Sequence, residues 1–474
     1  MKNVAPANWL PANFEEVFTQ ISTSGKKVKT AEALSKGKFP VVDQGRTFVS
    51  GYLDDESLVV SDENPLIIFG DHTREIKWID FAFIPGADGV KILKPNPEMN
   101  GRFLYFFLRN LSIEGKGYAR HFKILKDAEY RVPPLVEQTH IAQKLDELLA
   151  QVNTLKARID SIPALLKRFR QSTLTAAASG RLTADWRTKS HSSIESGPKL
   201  LLKLCEQKES WLKANPDHNE ASRVKRRVST AKPPIPNNNT LPDTWCWARL
   251  EDTVLLVVDC HNKTAPYESN GIPLVRTSNI RDGQFIWDDL RFVNHDTYRY
   301  WSKRCVPESG DIVFTREAPM GEAAIIPKGK QICLGQRTML IRTIESCTSA
   351  KFILTALLDP KFKERAAEMA VGTGVKHFRV GDVSELLIPL APTAEQTEIV
   401  RRVEQLFAFT DQLETKIKTA QARVNHLTQS ILAKAFRGEL VPQDPKDEPA
   451  SELLARIKAQ RSAAPKGKRV RKNA

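Results

Sequence analysis

Two short segments concentrate side chains that can exchange hydrogen bonds with a polar ligand, Phe69-Gly-Asp-His-Thr-Arg74 and Thr315-Arg-Glu-Ala-Pro-Met-Gly321. Arg and Lys suit guanine edges or phosphate oxygens, Asn and Gln suit adenine, and Asp and Glu accept from cytosine. The candidate contacts in the first half of the chain are Gln44, Arg46, Asp71, His72, Thr73, Arg74, Lys91, Tyr118, Arg120 and His121. In the second half they are Arg276, Thr277, Ser278, Asn279, Thr315, Arg316, Glu317, Gln336, Arg337 and Lys376. Loops on a rigid domain are the natural holders of such groups. Each could also be a solvated loop charge or a turn-forming residue, and of those that touch a nucleic acid some would grip phosphate instead of reading a base. His121 and His377, each followed by Phe, suit local packing as well as contact.

The chemistry these residues are not accompanied by is as informative. There is no phosphate-binding G-x-x-x-x-G-K-[ST] loop, no glycine-rich cofactor turn after a strand, and no Asn-Pro-Pro-aromatic motif for amino methylation. An enzyme that flips and methylates a base would need such parts. The six cysteines include no C-x-x-C pair, and Cys260-His261 is a lone adjacency, so neither a disulfide framework nor a metal site is expected.

Lys and Arg number 71 against 56 Asp and Glu, a formal charge of +15, which favours a polyanionic partner, nucleic acid before membrane. Part of that excess lies in the tail from Arg461 to Lys472. No apolar run of membrane-spanning length and no secretory leader pattern occur, so a cytoplasmic location is expected.

The elements that would position these residues emerge from an internal repeat: residues 133–182 match 391–440 at a constant offset of 258. One copy runs Pro134-Leu-Val-Glu-Gln-Thr-His-Ile141 and the other Pro392-Thr-Ala-Glu-Gln-Thr-Glu-Ile399, each with an acid and a proline suited to a helix start. Gly180 and Gly438 suit the stops. Between them Ile141, Leu145, Leu148, Val152, Leu155 and Ile159 continue through Ile162, Leu166 and Phe169 as a heptad seam. Ile399, Val403, Leu406, Leu413 and Ile417 form its counterpart, with Thr410 and Ala420 as weak positions. Each large apolar residue fully buried in such a seam contributes roughly 1.5–3 kcal/mol. Pro163 should kink or interrupt the first helix.

The organisation that follows is α+β, with two mixed α/β recognition domains joined by two long antiparallel coiled-coil helices. The segments are a first domain (1–132), a spacer helix (133–187) and a surface linker with a short helix (188–240). A second domain (241–388), a second spacer helix (389–440), and a short helix with a basic, disordered tail (441–474) complete the chain. The domains echo one another loosely: Pro40-Val-Val with Pro273-Leu-Val, Ile67-Ile-Phe with Ile312-Val-Phe, and Arg120-His-Phe with Lys376-His-Phe. A helix of about 40 residues is about 60 Å long, more than one turn of DNA. Lys167, Arg168 and Arg170, and the run Arg223 to Arg227, suit either phosphate contact or a solvated face. The rival to a nucleic-acid reader is a protein scaffold whose charge is incidental, and generic dimerisation is the commonest use of heptads.

This arrangement, with its Pro-x-x-Glu-Gln helix openings, the ending Gln429-Ser-Ile-Leu-Ala-Lys-Ala-Phe-Arg-Gly438 and the loop Thr315 to Gly321, resembles the specificity subunits of type I restriction-modification systems over nearly the whole chain. Phe69 to Arg74 and Gly86-Ala-Asp-Gly-Val-Lys91 resemble a recurrent variety of target-recognition domain in that family. The resemblance implies a non-catalytic reader of double-stranded DNA with no cofactor of its own. It further implies two modification subunits that use S-adenosylmethionine to methylate adenine, and restriction subunits that use ATP and Mg.

Overall fold

A computed structural model describes residues 6–86, 89–111, 113, 120–189, 195–235, 240–372, 374 and 376–463. The chain divides into two compact units, residues 1–161 with 417–474 and residues 162–416. Two helices, Leu135–Ala178 and Thr393–Ala435, contribute to both units. Their starts lie 258 residues apart, as the repeat requires. No helix among the described residues is long and apolar enough to cross a membrane.

The first unit holds a four-stranded antiparallel sheet in the order Phe18–Ile21, Val90–Pro95, Leu66–Gly70, Ile76–Ile79. Its central strand Leu66–Gly70 is buried on both faces, which explains its unbroken apolar sequence. Ile67 and Phe69 join the cluster around Phe103 and Phe106 of helix Gly101–Asn110, while Leu66 and Ile68 join Val42 and Phe83 on the opposite face. A second, three-stranded sheet has Phe39–Val42 in the middle, antiparallel to Gly51–Leu53 and parallel to Ile84–Pro85.

The second unit repeats this topology. Leu256–Asp259, Thr338–Arg342, Ile312–Thr315 and Ala323–Ile325 form the four-stranded sheet, and Ile272–Val275 is again the middle strand, antiparallel to Arg291–Val293 and parallel to Cys333–Leu334. The echoes of Pro40 with Pro273 and of Ile67 with Ile312 therefore mark equivalent strands. The 258-residue register also reaches further back than position 133, because helix Phe122–Asp127 is matched by Val380–Glu385.

Each domain is joined to its long helix through a buried carboxylate. Glu137 is 2% exposed and its Oε1 accepts the Trp9 indole N–H at 3.0 Å; Glu395 is fully buried and accepts Trp245 at 2.8 Å. The following glutamines work as a pair. Gln138 donates to the Pro133 carbonyl at 2.9 Å and accepts from the Asn100 N–H, and Gln396 does the same with Ala391 and Ser349. The Glu395 carboxylate also accepts from Thr183 at 2.6 Å and pairs with Arg187. Asn8 and Gln443 also bond Glu137, and burial outweighs these bonds, holding its carboxyl above the usual range. Gly180 and Gly438, both at left-handed φ near +70°, seat against Pro242 and Pro6, whose ring carbons would lie 2.5 and 2.2 Å from any added Cβ.

Pro6-Ala-Asn-Trp9 and Pro242-Asp-Thr-Trp245 are thus a second repeat that the sequence reading missed. Its members stand 236 residues apart. The tryptophan lies 128 residues before its glutamate in one unit and 150 in the other, so no single offset aligns both motifs.

The long helices pair antiparallel within each unit. In the first, Asp160 accepts from Gln421 at 2.9 Å; in the second, Arg170 pairs with Asp411 and Glu414. The seam is less uniform than the heptads suggest. Ile141 and Leu145 pack in the first domain's core with Leu432 and Ala435, and Ile399 and Val403 in the second domain's core with Ala177. Val152, Leu166, Thr410 and Val424 are buried along the helices, while Leu148, Ile159, Leu406, Leu413 and Ile417 are half-buried. Leu155 and Phe169 are 45% and 40% exposed, and Leu149 is buried in the place expected of Leu148. Two helices alone leave a narrow seam, so a strict heptad drifts off it within a few turns. Pro163 does not interrupt the helix: it sits on an exposed face of a continuous 44-residue element. There water can satisfy the carbonyl that the missing N–H leaves open.

The segment expected as a surface linker is part of the second domain. Leu200 and Leu204 of helix Gly197–Ala214 are fully buried against Cys246 and Leu390, and Val224 of helix Ala221–Ser229 is fully buried beside Leu256. Arg227 pairs with Glu251 at 3.0 Å. Helix Ala450–Ala463 likewise buries Leu453, Leu454 and Ile457 in the first domain's core, a longer and more integral element than the short helix expected there.

Lys208, 3% exposed, donates to the carbonyls of Glu251 and Asp252 at 2.8 and 3.0 Å, and burial pulls its ammonium down from 10.5 to about 8. A depressed folded value means that stability rises as pH passes from about 8 toward 10.5, where the unfolded chain still holds the proton. Denaturant titrations should show that rise in the wild type and a flatter profile in Lys208→Met. Trp9→Phe, which keeps the ring but leaves Glu137 short of a donor, is expected to cost about 1.5–3 kcal/mol, read as an earlier denaturation midpoint.

Candidate nucleic-acid interface

In each domain the segments carrying the candidate residues converge through matching backbone bonds. In the first, the Asp71 N–H donates to Gly89 O at 2.7 Å and the His121 N–H donates to Asp71 O at 2.9 Å. In the second, the Arg316 N–H donates to Arg337 O at 2.9 Å and the Phe378 N–H to Arg316 O at 3.0 Å. Gly89 and Arg337 share the same role with φ of 98° and 72°. The bond His121 makes is therefore made by Phe378 and not by His377, so the histidine echo is one residue out of register.

The segment after the middle strand completes each cluster. Thr73 Oγ1 donates to Gln44 O at 2.5 Å and the His72 N–H donates to Gln44 Oε1 at 3.1 Å. In the second domain Thr277 Oγ1 donates to Ala318 O at 3.0 Å. A glycine lets the parallel strand approach in both cases: the Gly86 N–H bonds Val42 O and the Gly335 N–H bonds Val275 O, each at 2.8 Å. A Cβ on Gly86 would lie 2.4 Å from Asp43 Cβ, and one on Gly335 would lie 2.7 Å from Val275 O.

Several candidates hold the loops from within. Asp71 is 3% exposed, its Oδ1 accepts the N–H groups of His121 and Phe122 at 2.8 Å each, and Lys91 stands 3.8 Å from its Oδ2. His121 is 1% exposed and its Nδ1 lies 2.9 Å from Asp71 O. Asn279 is buried, accepts the Arg276 N–H at 3.1 Å and reaches toward Ile286 O. Thr315 is buried, donating to Pro319 O and accepting from the Glu322 N–H. Arg316 bonds Phe378 O at 3.0 Å and stands 3.3 Å from Asp259, whose carboxyl burial raises. These five side chains serve the protein's own architecture.

Others face solvent. Arg46 has a side chain 93% exposed, with Glu75 at 3.6 Å. Thr73, Arg74, Arg120, Ser278, Arg337 and Lys376 are also exposed. Arg74 donates to Ile113 O, and Arg337 is tied to Glu317 at 2.6 Å. Arg276, Thr277 and Gln336 line a concavity of about 210 Å³, with Arg276 bonding Asp289 O at 3.0 Å and Gln336 accepting from Thr264 at 3.3 Å. Tyr118 lies outside the described residues. His261 packs against Tyr300 and Trp301 at 5.1 and 4.7 Å between ring centroids.

Sequence reasoning missed Lys77, which organises the loop after Phe39–Val42. Its ammonium, 5% exposed, donates to the carbonyls of Asp43 and Thr47 at 2.8 and 2.6 Å, and burial pulls its pKa down. The signal was present: in Ile76–Ile79 the lysine falls on the same buried phase as Ile79.

Gly86→Ala should displace the 43–47 segment and cost about 1–3 kcal/mol, the ordinary range for overpacking. Arg46→Ala should stay within about 0.5 kcal/mol of wild type. Thermal melts of both variants check the contrast.

Residues 6–164 and 257–420 match the family model described as the type I restriction modification DNA specificity domain. The specificity subunit of the type I restriction enzyme EcoDI of Escherichia coli is 34% identical over 395 residues, covering 78% of this chain and 79% of that one. The EcoKI specificity subunit of Escherichia coli strain K12 is 30% identical over 476 residues, covering 93% and 90%. In fold the chain is similar to the HsdS subunit from Thermoanaerobacter tengcongensis, with a TM-score of 0.51, 17% identity, and 92% and 98% of the two chains covered.

Proposed function

Given that this chain belongs to the type I restriction-modification DNA specificity family, we propose that it reads an asymmetric, two-part target on double-stranded DNA, one part per domain, and carries out no chemistry itself. Two modification subunits holding S-adenosylmethionine would methylate adenine at the address it supplies, and restriction subunits using ATP and Mg would translocate and cut. One observation carries this reading: the same laced segments come together in both domains but present different side chains. The first exposes Arg46, Thr73, Arg74 and Arg120, whereas the second exposes Ser278, Arg337 and Lys376. Equal scaffolds with unequal donors and acceptors suit two different base sequences. The 44-residue helix, about 66 Å long at 1.5 Å per residue, suits a spacer that sets the gap between the two parts. The cytoplasm, where host DNA lies, is the location this role requires.

Replacing residues 1–132 with another recognition domain should change one half of the methylated motif, and altering helix length should change only the gap. Methylome sequencing of cells carrying each variant reads both, and an unaltered motif would refute modular reading. If basic side chains grip phosphate, affinity should fall steeply with salt, and Arg46→Ala should lower the slope of log K against log salt by about 1. A protein scaffold with incidental charge would give no salt-dependent gel shift.

A further inference from the structure

We propose that each domain also meets DNA through an exposed aromatic ring on one equivalent connection, braced by a second ring, an apolar contact beside the charged ones. This rests on the DNA-reading function above. In the first domain Phe48, 48% exposed, lies between the middle strand Phe39–Val42 and Gly51–Leu53. It braces against Phe81, 37% exposed, with ring centroids 6.0 Å apart and planes at 68°. In the second domain the matching connection, between Ile272–Val275 and Arg291–Val293, carries Phe285 and Trp287 at 5.4 Å, with Trp287 38% exposed. The two connections differ in length and sequence, yet each brings one exposed ring to the surface against a second ring, Phe81 from the segment after Ile76–Ile79 in the first domain and the half-buried Phe285 in the second.

Each pair is held firmly and sits among the candidate readers. The Phe48 carbonyl is 3.4 Å from the buried Lys77 ammonium that also gathers Asp43 and Thr47, so the loop is fixed before any ligand arrives. Arg46 stands two residues away with its side chain almost wholly in solvent, and it lines a hollow of about 400 Å³ with Phe48 and Trp78. In the second domain Arg276 bonds Asp289 O, Asn279 reaches toward Asp288 O, and Lys330 lies 5.5 Å over the Trp287 ring. A cation beside an exposed aromatic suits a polyanion that also offers apolar base surfaces. Phenylalanine meets thymine methyl groups in this way, and apolar side chains can wedge at base steps. Binding to DNA would bury these rings, and Arg46 and Lys330 beside them favour DNA over an apolar protein face.

The test uses the full chain assembled with its modification subunits and the target duplex mapped by methylome sequencing. Wild type must first bind that duplex with a steep salt dependence; if it does not, the DNA-reading function itself fails. Given that binding, Phe48→Ala with Phe81→Ala should weaken affinity for the target about tenfold at every salt concentration, leaving the salt slope unchanged, since no phosphate contact is lost. Trp287→Ala should do the same, and scrambling one half of the target should abolish the effect of one pair only. The single variant Phe48→Ser, at a half-exposed ring, replaces the double one if the latter melts early. Unchanged affinity, an altered salt slope, or lost association with modification subunits while DNA binding persists would each overturn the proposal.

Discussion

The buried carboxylates of Glu137 and Glu395 are the constraint on which the arrangement depends. Each joins three stretches of chain: donors of the segment entering the domain, the start of the long helix that carries the carboxylate itself, and donors of the segment that follows the other long helix. A buried carboxylate is tolerable only with its lone pairs occupied. All three stretches must therefore assemble together, and loss of any one leaves a charge in the interior. Glycine at 180 and 438 allows the third stretch to approach the proline of the first. The entropic cost of ordering these stretches is offset by a compact polar cluster in each domain.

Around that joint the two domains diverge freely at the surface while keeping their frame. The bonds common to both sets of loops are made by main-chain atoms, which any residue can supply, while the side chains that reinforce them differ between the domains. Gly89 in one domain and Arg337 in the other hold the same left-handed conformation, the second at some strain and with Glu317 as its partner. A scaffold laced by its backbone is suited to carry changeable contacts.

The long helices owe their stability to more than their mutual seam. Their first turns are embedded in domain cores, and the stretches between rest on a few buried positions such as Val152, Leu166 and Val424. Exposed Leu155 and Phe169 show that apolar spacing alone does not place a residue in a seam. Charge pairs such as Arg170 with Asp411 and Glu414 supply register where apolar burial is thin.

The sequence by itself determined the duplication, where each long helix begins, the α+β class and the family, because each is carried by local periodicity or by a repeat at fixed offset. It also located the loops that converge, since turn residues mark them. Tertiary structure alone decided which members of those loops face solvent. Asp71, His121, Asn279 and Thr315 are polar in sequence and interior in fact, because a loop's backbone needs partners that only folding brings near. It likewise decided that residues 197–229 belong to the second domain, and that the paired tryptophans answer the repeated glutamates. These contacts join residues up to 150 positions apart, with different spacing in each half, and no linear pattern encodes such a distance.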